Sequence, residues 1–112
     1  MEEKTFNQVL KETREITNEF EKREKKEWTP EIMTTELAKQ LGEVSKQIMM
    51  LEGNYLPERD DDSRYAFSKE KLADELSDVF ANIIRMADYY EIDFEEAHLK
   101  ELNKGKKRFV LK

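Results

Sequence analysis

The chain has 112 residues, of which 38% are hydrophobic and 41% are charged, and its formal net charge is −6 at pH 7. Its length predicts a single domain with a small core. The negative charge argues against a nucleic-acid partner, and the absence of cysteine excludes disulfides and thiolate zinc sites. The N-terminus is charged, unlike a signal peptide, and no apolar run has the length of a membrane span. We therefore expect a soluble, cytoplasmic, all-α protein without a membrane partner.

The first half of the chain predicts two helices. Residues 3 to about 26 carry a sparse apolar face, and the charge run at 19–27 predicts a solvated end of this helix. Thr29 followed by Pro30 is typical of a helix start, because threonine caps a helix and proline loses no hydrogen bond at the first position. The second helix is expected to end after Glu52, where a glycine–asparagine pair follows.

The second half predicts a long loop and two further helices. The loop covers residues 53–67, and its acidic triplet lacks the ligand spacing of an EF-hand calcium site. Ser68 is the predicted N-cap of the third helix, which runs to about Tyr90. Asp93, with Glu96 three residues later, predicts a capping box at the start of the fourth helix.

The second and third helices each carry an apolar stripe beside a polar stripe. Both stripes recur at alternating steps of four and three residues, which places each on one helix face. The apolar stripes are Leu37, Leu41, Val44, Ile48 and Leu51, and Leu72, Leu76, Val79, Ile83, Met86 and Tyr90. The polar stripes are Glu36, Gln40, Glu43 and Gln47, and Glu75, Asp78, Asn82 and Arg85. If the apolar stripes pack together, the polar stripes approach each other at the edge of the core.

Two interpretations of the acidic residues remain open. Carboxylates that converge from two helices offer a site for magnesium, because this ion prefers oxygen ligands. In so charged a chain, however, a solvated helix flank has the same appearance. Glu75 and Asp78 lie on one face and repel each other unless a cation lies between them. That cation is either a metal ion or the side chain of Lys71 or Arg85 on a neighbouring turn.

Several short motifs follow one another over residues 28–109. They are Leu41-Gly42-Glu43-Val44, Glu75-Leu76-Ser77-Asp78, the segment from Glu91 to Ala97, and the segment from Asn103 to Phe109. In this order and spacing they resemble the MazG-like all-α nucleotide pyrophosphohydrolases, which carry E-x-x-E on one helix and E-x-x-D on the next. Residues 1–27 would then be an N-terminal helix of the same domain, 1–112.

The chain departs from the family's first motif. Gln40 stands where the first glutamate is expected, and Lys39 stands where a second acid is common. Glu36 lies one turn earlier and is a candidate substitute. A less acidic site should hold magnesium more weakly, because the number of charged ligands tunes the affinity for hard cations.

The resemblance implies hydrolysis of nucleoside triphosphates to monophosphates and pyrophosphate, as in house-cleaning of the nucleotide pool. It also implies a four-helix chain that assembles into an oligomeric helical bundle, as a homodimer or homotetramer, with Mg²⁺ or Mn²⁺ as cofactor. The implied catalytic residues and metal ligands are Glu43, Glu75 and Asp78, with Gln40 and Asn82 as further ligands and Lys104, Lys107 and Arg108 as phosphate contacts.

Two other functions remain open because of Gln40. One is a non-catalytic helical module of the same type that binds nucleotide or a protein partner. The other is a structural helical oligomer whose charged flanks hold no site. The basic segment near the C-terminus is compatible with phosphate contacts and equally with a purely solubilising role.

Overall fold

Four α-helices make up the described part of the chain, which is known from a computed structural model covering residues 3–57 and 69–111. They are α1 (Phe6–Arg23), α2 (Pro30–Leu51), α3 (Lys69–Tyr89) and α4 (Phe94–Arg108). No strand occurs in these two stretches. The predicted all-α fold is confirmed.

The start of α1 is fixed by a capping box that the sequence analysis did not predict. The Thr5 hydroxyl accepts a hydrogen bond from the Gln8 backbone N–H at 3.1 Å, and the Gln8 side chain accepts one from the Thr5 N–H at 2.7 Å. Two backbone donors that the first turn cannot satisfy are thereby paired. The helix begins at Phe6 and ends at Arg23, so it is shorter at both ends than predicted.

The other helix starts follow the predictions where they are described. The Thr29 hydroxyl accepts from the backbone N–H of Ile32 at 3.3 Å at the start of α2. The Asp93 carboxylate accepts from the backbone N–H of Glu96 at 3.0 Å at the start of α4, which is the first half of the predicted capping box. The return bond from the Asp93 N–H to the Glu96 side chain stays a prediction. Ser68, the predicted cap of α3, lies outside the described residues. Local side-chain chemistry therefore sets where α1, α2 and α4 begin.

The chain divides into two compact units. The terminal unit combines Met1–Lys25 with Ile83–Lys112, and the central unit is Lys26–Asn82. The terminal unit therefore contains α1, α4 and the last part of α3, whereas the central unit contains α2 and most of α3. These units do not test whether residues 1–112 form a single domain, which stays a prediction.

Two arginines connect the helices of the terminal unit. Arg14 of α1 donates from Nε to Asp88 at 3.0 Å, and its two Nη atoms donate to Glu95 at 2.8 and 3.1 Å. Arg85 of α3 donates from its two Nη atoms to Glu24 at 2.6 and 2.8 Å. Each guanidinium is matched to a carboxylate in the bidentate geometry that arginine favours.

The charge run at the end of α1 is only partly the solvated segment that the sequence predicted. The side chains of Lys22 and Arg23 are about 70% exposed, at 70% and 71%. Glu24, by contrast, is 16% exposed because it lies against Arg85, and Glu21 approaches the same guanidinium at 3.5 Å. One face of the run therefore holds α1 to α3.

The polar stripes of the central unit are buried at one residue each and partly buried elsewhere, except at Asp78, which is exposed. Gln47 of α2 is 7% exposed and Asn82 of α3 is 5% exposed. In the neighbouring apolar stripes, Leu41, Ile48 and Leu76 are 49%, 45% and 52% exposed. Leu37, Val44, Leu72 and Val79 of the same stripes are half-buried, so the apolar stripes are covered in part only.

Among the described helices, none has both the length and the apolar composition that crossing a membrane requires.

Candidate functional site

The helices α2 and α3 are tied together by Asn82. Its side-chain Nδ2 donates a hydrogen bond to the backbone carbonyl of Met33 at 3.1 Å, and both residues are buried. Farther along, the charge of Glu43 acts on Glu75. From Met33 to Glu43 along α2, the facing residue on α3 changes from Asn82 back to Glu75. The two helices α2 and α3 therefore run antiparallel. Their polar stripes therefore face each other along the shared length.

Glu43 and Asp78 both lie within electrostatic reach of Glu75. The pKa of Glu75 is raised above its usual range, first by burial and then by the negative charges of Asp78, Glu43 and Asp74. Glu43 and Glu75 are half-buried, whereas Asp78 is exposed. Like charges close to Glu75 therefore disfavour its ionised form.

Lys39 partly offsets this repulsion. Its positive charge opposes the rise in the pKa of Glu75, although its effect is the smallest of those acting on that carboxyl. The Lys39 ammonium also lies 3.3 Å from the Glu36 carboxylate. Glu36, the candidate substitute for the missing glutamate, is thus engaged with a cation of its own helix.

Amide oxygens complete the polar interior. Gln40 Oε1, Gln47 Oε1 and Asn82 Oδ1 are buried and accept no hydrogen bond. A buried acceptor without a donor costs about 1–3 kcal/mol. The facing stripes of α2 and α3 therefore present carboxylate and amide oxygens whose needs the protein itself does not meet, and a ligand that brings positive charge or donors would meet them.

The side chains are not arranged as a finished metal site. Within residues 3–57 and 69–111, no three histidine, cysteine, aspartate or glutamate side chains stand close enough together to hold an ion. The structure thus brings Glu43, Glu75 and Asp78 near one another without closing a ligand set around one point. Gln40 shares the stripe of Glu43, and Asn82 lies one turn after Asp78 with its amide turned by the Met33 bond.

The predicted phosphate contacts belong to the terminal unit. Lys104 and Lys107 lie in the last turns of α4, so the basic segment is helical. Lys104 pairs with Glu101 at 3.0 Å. The guanidinium of Arg108 lies 5.7 Å from the ring centre of Phe109. The role of these three cations at phosphate groups stays a prediction.

Two residues near the carboxylates were missed by the sequence analysis as site candidates. Asp74 acts on the pKa of Glu75, and Gln47 has a buried, unpaired amide oxygen. The signal for Gln47 was present, because it continues the stripe of Gln40 and Glu43. Asp74 falls outside the stripe of its helix, so periodicity alone gave no reason to include it.

Comparison with known proteins gives one informative relative. No protein-family model matches the chain, and no solved structure matches it significantly. YvdC of Bacillus subtilis (strain 168), which is described as an uncharacterised protein, is 33% identical over 91 residues. The aligned segment covers 80% of this chain and 85% of that protein.

Proposed function

The chain belongs to the same family as YvdC of Bacillus subtilis, whose name states no activity, and from the side chains of α2 and α3 we propose a metal-dependent nucleoside triphosphate pyrophosphohydrolase of the MazG-like type. The observation that carries the proposal is the carboxylate group around Glu75. Glu43 from α2 and Asp78 from α3 both act on its carboxyl, beside the buried amides of Gln47 and Asn82.

The oxygen atoms of this region suit a magnesium ion. Ionised Glu75 is disfavoured by burial and by neighbouring negative charges, and a divalent cation would relieve both effects. Gln40 Oε1 and Asn82 Oδ1 are buried acceptors without donors. Carboxylate and amide oxygens are the ligand types that Mg²⁺ takes, and Mn²⁺ accepts the same set. Gln40 would act as a neutral ligand in place of the expected glutamate.

In the proposed reaction, water adds to phosphorus and the bridge between the α and β phosphates breaks, which gives a monophosphate and pyrophosphate. Glu43 and Asp78 would hold a magnesium ion, one from each helix, and the ion would supply polarisation of phosphate oxygens and a lower pKa for water. Glu75 is the proton acceptor for the attacking water, because its raised pKa suits a general base better than that of an ordinary carboxylate.

Pyrophosphate release is the test of this function. Ribo- and deoxyribonucleoside triphosphates are incubated with the protein and Mg²⁺, then with Mn²⁺, and with a chelator as the control. We expect release that depends on the metal and differs among nucleotides. Absence of release across the whole panel would contradict the enzyme. Retained nucleotide binding in that case would support the non-catalytic module, which the ion pair of Lys39 with Glu36 favours by occupying an acid of the site.

We also propose that the chain forms a homodimer or homotetramer through the exposed apolar stripes of α2 and α3. Leu41, Ile48 and Leu51 share one face of α2 and are each close to half exposed, as is Leu76 on α3. A row of large apolar side chains on one face marks an association surface more than scattered ones do.

Leu41→Gln combined with Leu76→Gln is expected to shift the protein toward the monomer in analytical ultracentrifugation. Glutamine is a good helix former, so the change removes apolar contact and keeps the helices. Leu102→Gln is the matched control, because Leu102 is 48% exposed and belongs to α4 and to neither stripe. A wild-type protein that is monomeric at all concentrations tested would refute the association.

A further inference from the structure

Gln47 is a buried polar side chain whose amide oxygen has no hydrogen-bond donor in the part of the chain that the structure describes. It is 7% exposed, and its Oε1 accepts no hydrogen bond. Asn82, which is buried to a similar degree, at least donates from Nδ2 to Met33 and so joins two helices. Gln47 has no such contact among the described residues. Its burial therefore costs stability, and that cost needs an explanation outside the folded chain itself.

Gln47 lies at one end of the polar stripe of α2. It follows Glu43 by one helical turn, which is about 6 Å along the axis of α2. Since α2 and α3 are antiparallel, Gln47 lies beyond the Glu43–Glu75 end of the carboxylates, whereas Asn82 lies beyond the other end. Gln47 is therefore the residue of the α2 polar stripe that lies farthest from Asp78 and Asn82. A ligand role at an ion held by Glu43 is the alternative, and the tripolyphosphate comparison below separates it from a nucleoside contact.

We propose that Gln47 contacts the nucleoside part of the substrate, whose N–H or O–H group donates a hydrogen bond to Oε1. This inference rests on the function proposed above. The unpaired atom is an acceptor, and ionised phosphate oxygens are acceptors too, so the triphosphate cannot satisfy it. A sugar hydroxyl or a base amino or imino group is the donor that a nucleotide brings within one helical turn of its phosphates. Gln47 thus favours nucleotides that present such a donor.

The test compares two ligands that share a triphosphate and differ in the nucleoside. Calorimetric titration with Mg²⁺ measures binding of inorganic tripolyphosphate and of the α,β-methylene analogues of the nucleoside triphosphates. Gln47→Met keeps the length of the side chain and removes the acceptor. We expect it to weaken binding of the preferred nucleotide analogue about tenfold, which corresponds to about 1.4 kcal/mol, and to leave tripolyphosphate binding unchanged.

Gln40→Met is the matched control, because it makes the same change in the same stripe beside the carboxylates. It should weaken both ligands alike. If Gln47→Met weakened both ligands equally, or neither, the nucleoside contact would be disproved while the proposed function stood. If wild-type protein bound no tripolyphosphate with Mg²⁺, the proposed function would fail first, and this inference with it.

Thermal unfolding separates a contact from a folding defect. Because Gln47→Met removes a buried unpaired amide, the melting temperature of the ligand-free variant should equal or exceed that of the wild type. Gln47→Leu repeats the comparison with a different apolar shape. A selective loss of nucleotide binding in both variants, without a lower melting temperature, is the expected result.

Discussion

Replacing Arg85 by alanine is expected to lower the free energy of unfolding by about 1–3 kcal/mol, because it leaves Glu24 as a half-buried carboxylate without its partner. The side chains of Arg85 and Glu24 are 11% and 16% exposed, and two hydrogen bonds of 2.8 and 2.6 Å join them. Glu24 follows directly after α1, so the same change should loosen that helix. Urea denaturation followed by circular dichroism measures the loss.

Two comparisons show whether burial is the cause. Arg23→Ala breaks the exposed pair with Glu19, where the arginine is 71% exposed, and should cost about 0.5 kcal/mol or less. The double variant Arg85→Met with Glu24→Leu removes both charges and should recover most of the loss, since the penalty arises from one charge left alone. Equal effects of Arg85→Ala and Arg23→Ala would contradict this account.

Glu75→Gln is expected to reduce metal-dependent pyrophosphate release by at least about 100-fold, the usual contribution of a general base. Glutamine keeps the shape of the side chain and cannot accept the proton of the attacking water. Asp74→Asn is the comparison variant, because Asp74 also acts on Glu75 but is not a proposed ligand or base. It should retain most of the activity. Unchanged release by Glu75→Gln would show that the site is wrongly assigned.

The same variant should be more stable than the wild type when no metal is present. The pKa of Glu75 is raised above its ordinary value of 4.5, so the folded protein holds this proton more tightly than the unfolded chain. The wild type therefore loses stability as the pH rises past that value, whereas the variant does not.

The expected gain at pH 7 is about 4 °C or less in melting temperature, because water screens a half-buried carboxyl. Near pH 3 the two proteins should melt together. Glu27→Gln, at an exposed position between helices, should show no such difference at either pH. A Glu75→Gln protein that melts below the wild type at pH 7 would mean that the ionised carboxylate is stabilised in the fold.

Local sequence predicted where the helices begin, but it did not predict which face of each helix packs against its neighbour. Thr29 and Asp93 were predicted as caps and act as caps, because a cap needs only neighbours three residues away. The capping box of Thr5 and Gln8 could have been read in the same way. Periodicity, however, gives the angle between two stripes on one helix and says nothing about which stripe faces the next helix. Periodicity therefore could not predict the burial of Gln47.

Long-range ion pairs were equally hidden in the sequence. Arg85 was considered as a cation for the acidic stripe of its own helix, yet it pairs with Glu24, 61 residues away. Glu24 itself was included in a run predicted to be solvated. Nothing in local spacing links the two, because an ion pair across helices depends on how the helices pack. The polar stripes and the motifs predicted the candidate carboxylates Glu43, Glu75 and Asp78. The effect of Asp74 on Glu75 was found only in the structure.

The exposed leucines of α2 and α3 affect how the stability of the protein depends on its concentration. A chain that keeps Leu41 and Leu76 about half exposed retains part of its hydrophobic free energy for contact with another copy. In the proposed oligomer, folding and assembly would then be linked by mass action. Dilution would therefore favour unfolding, as a rise in temperature does. The fraction of folded chains would thereby depend on the protein concentration, and a newly made copy would be least stable before it binds a partner.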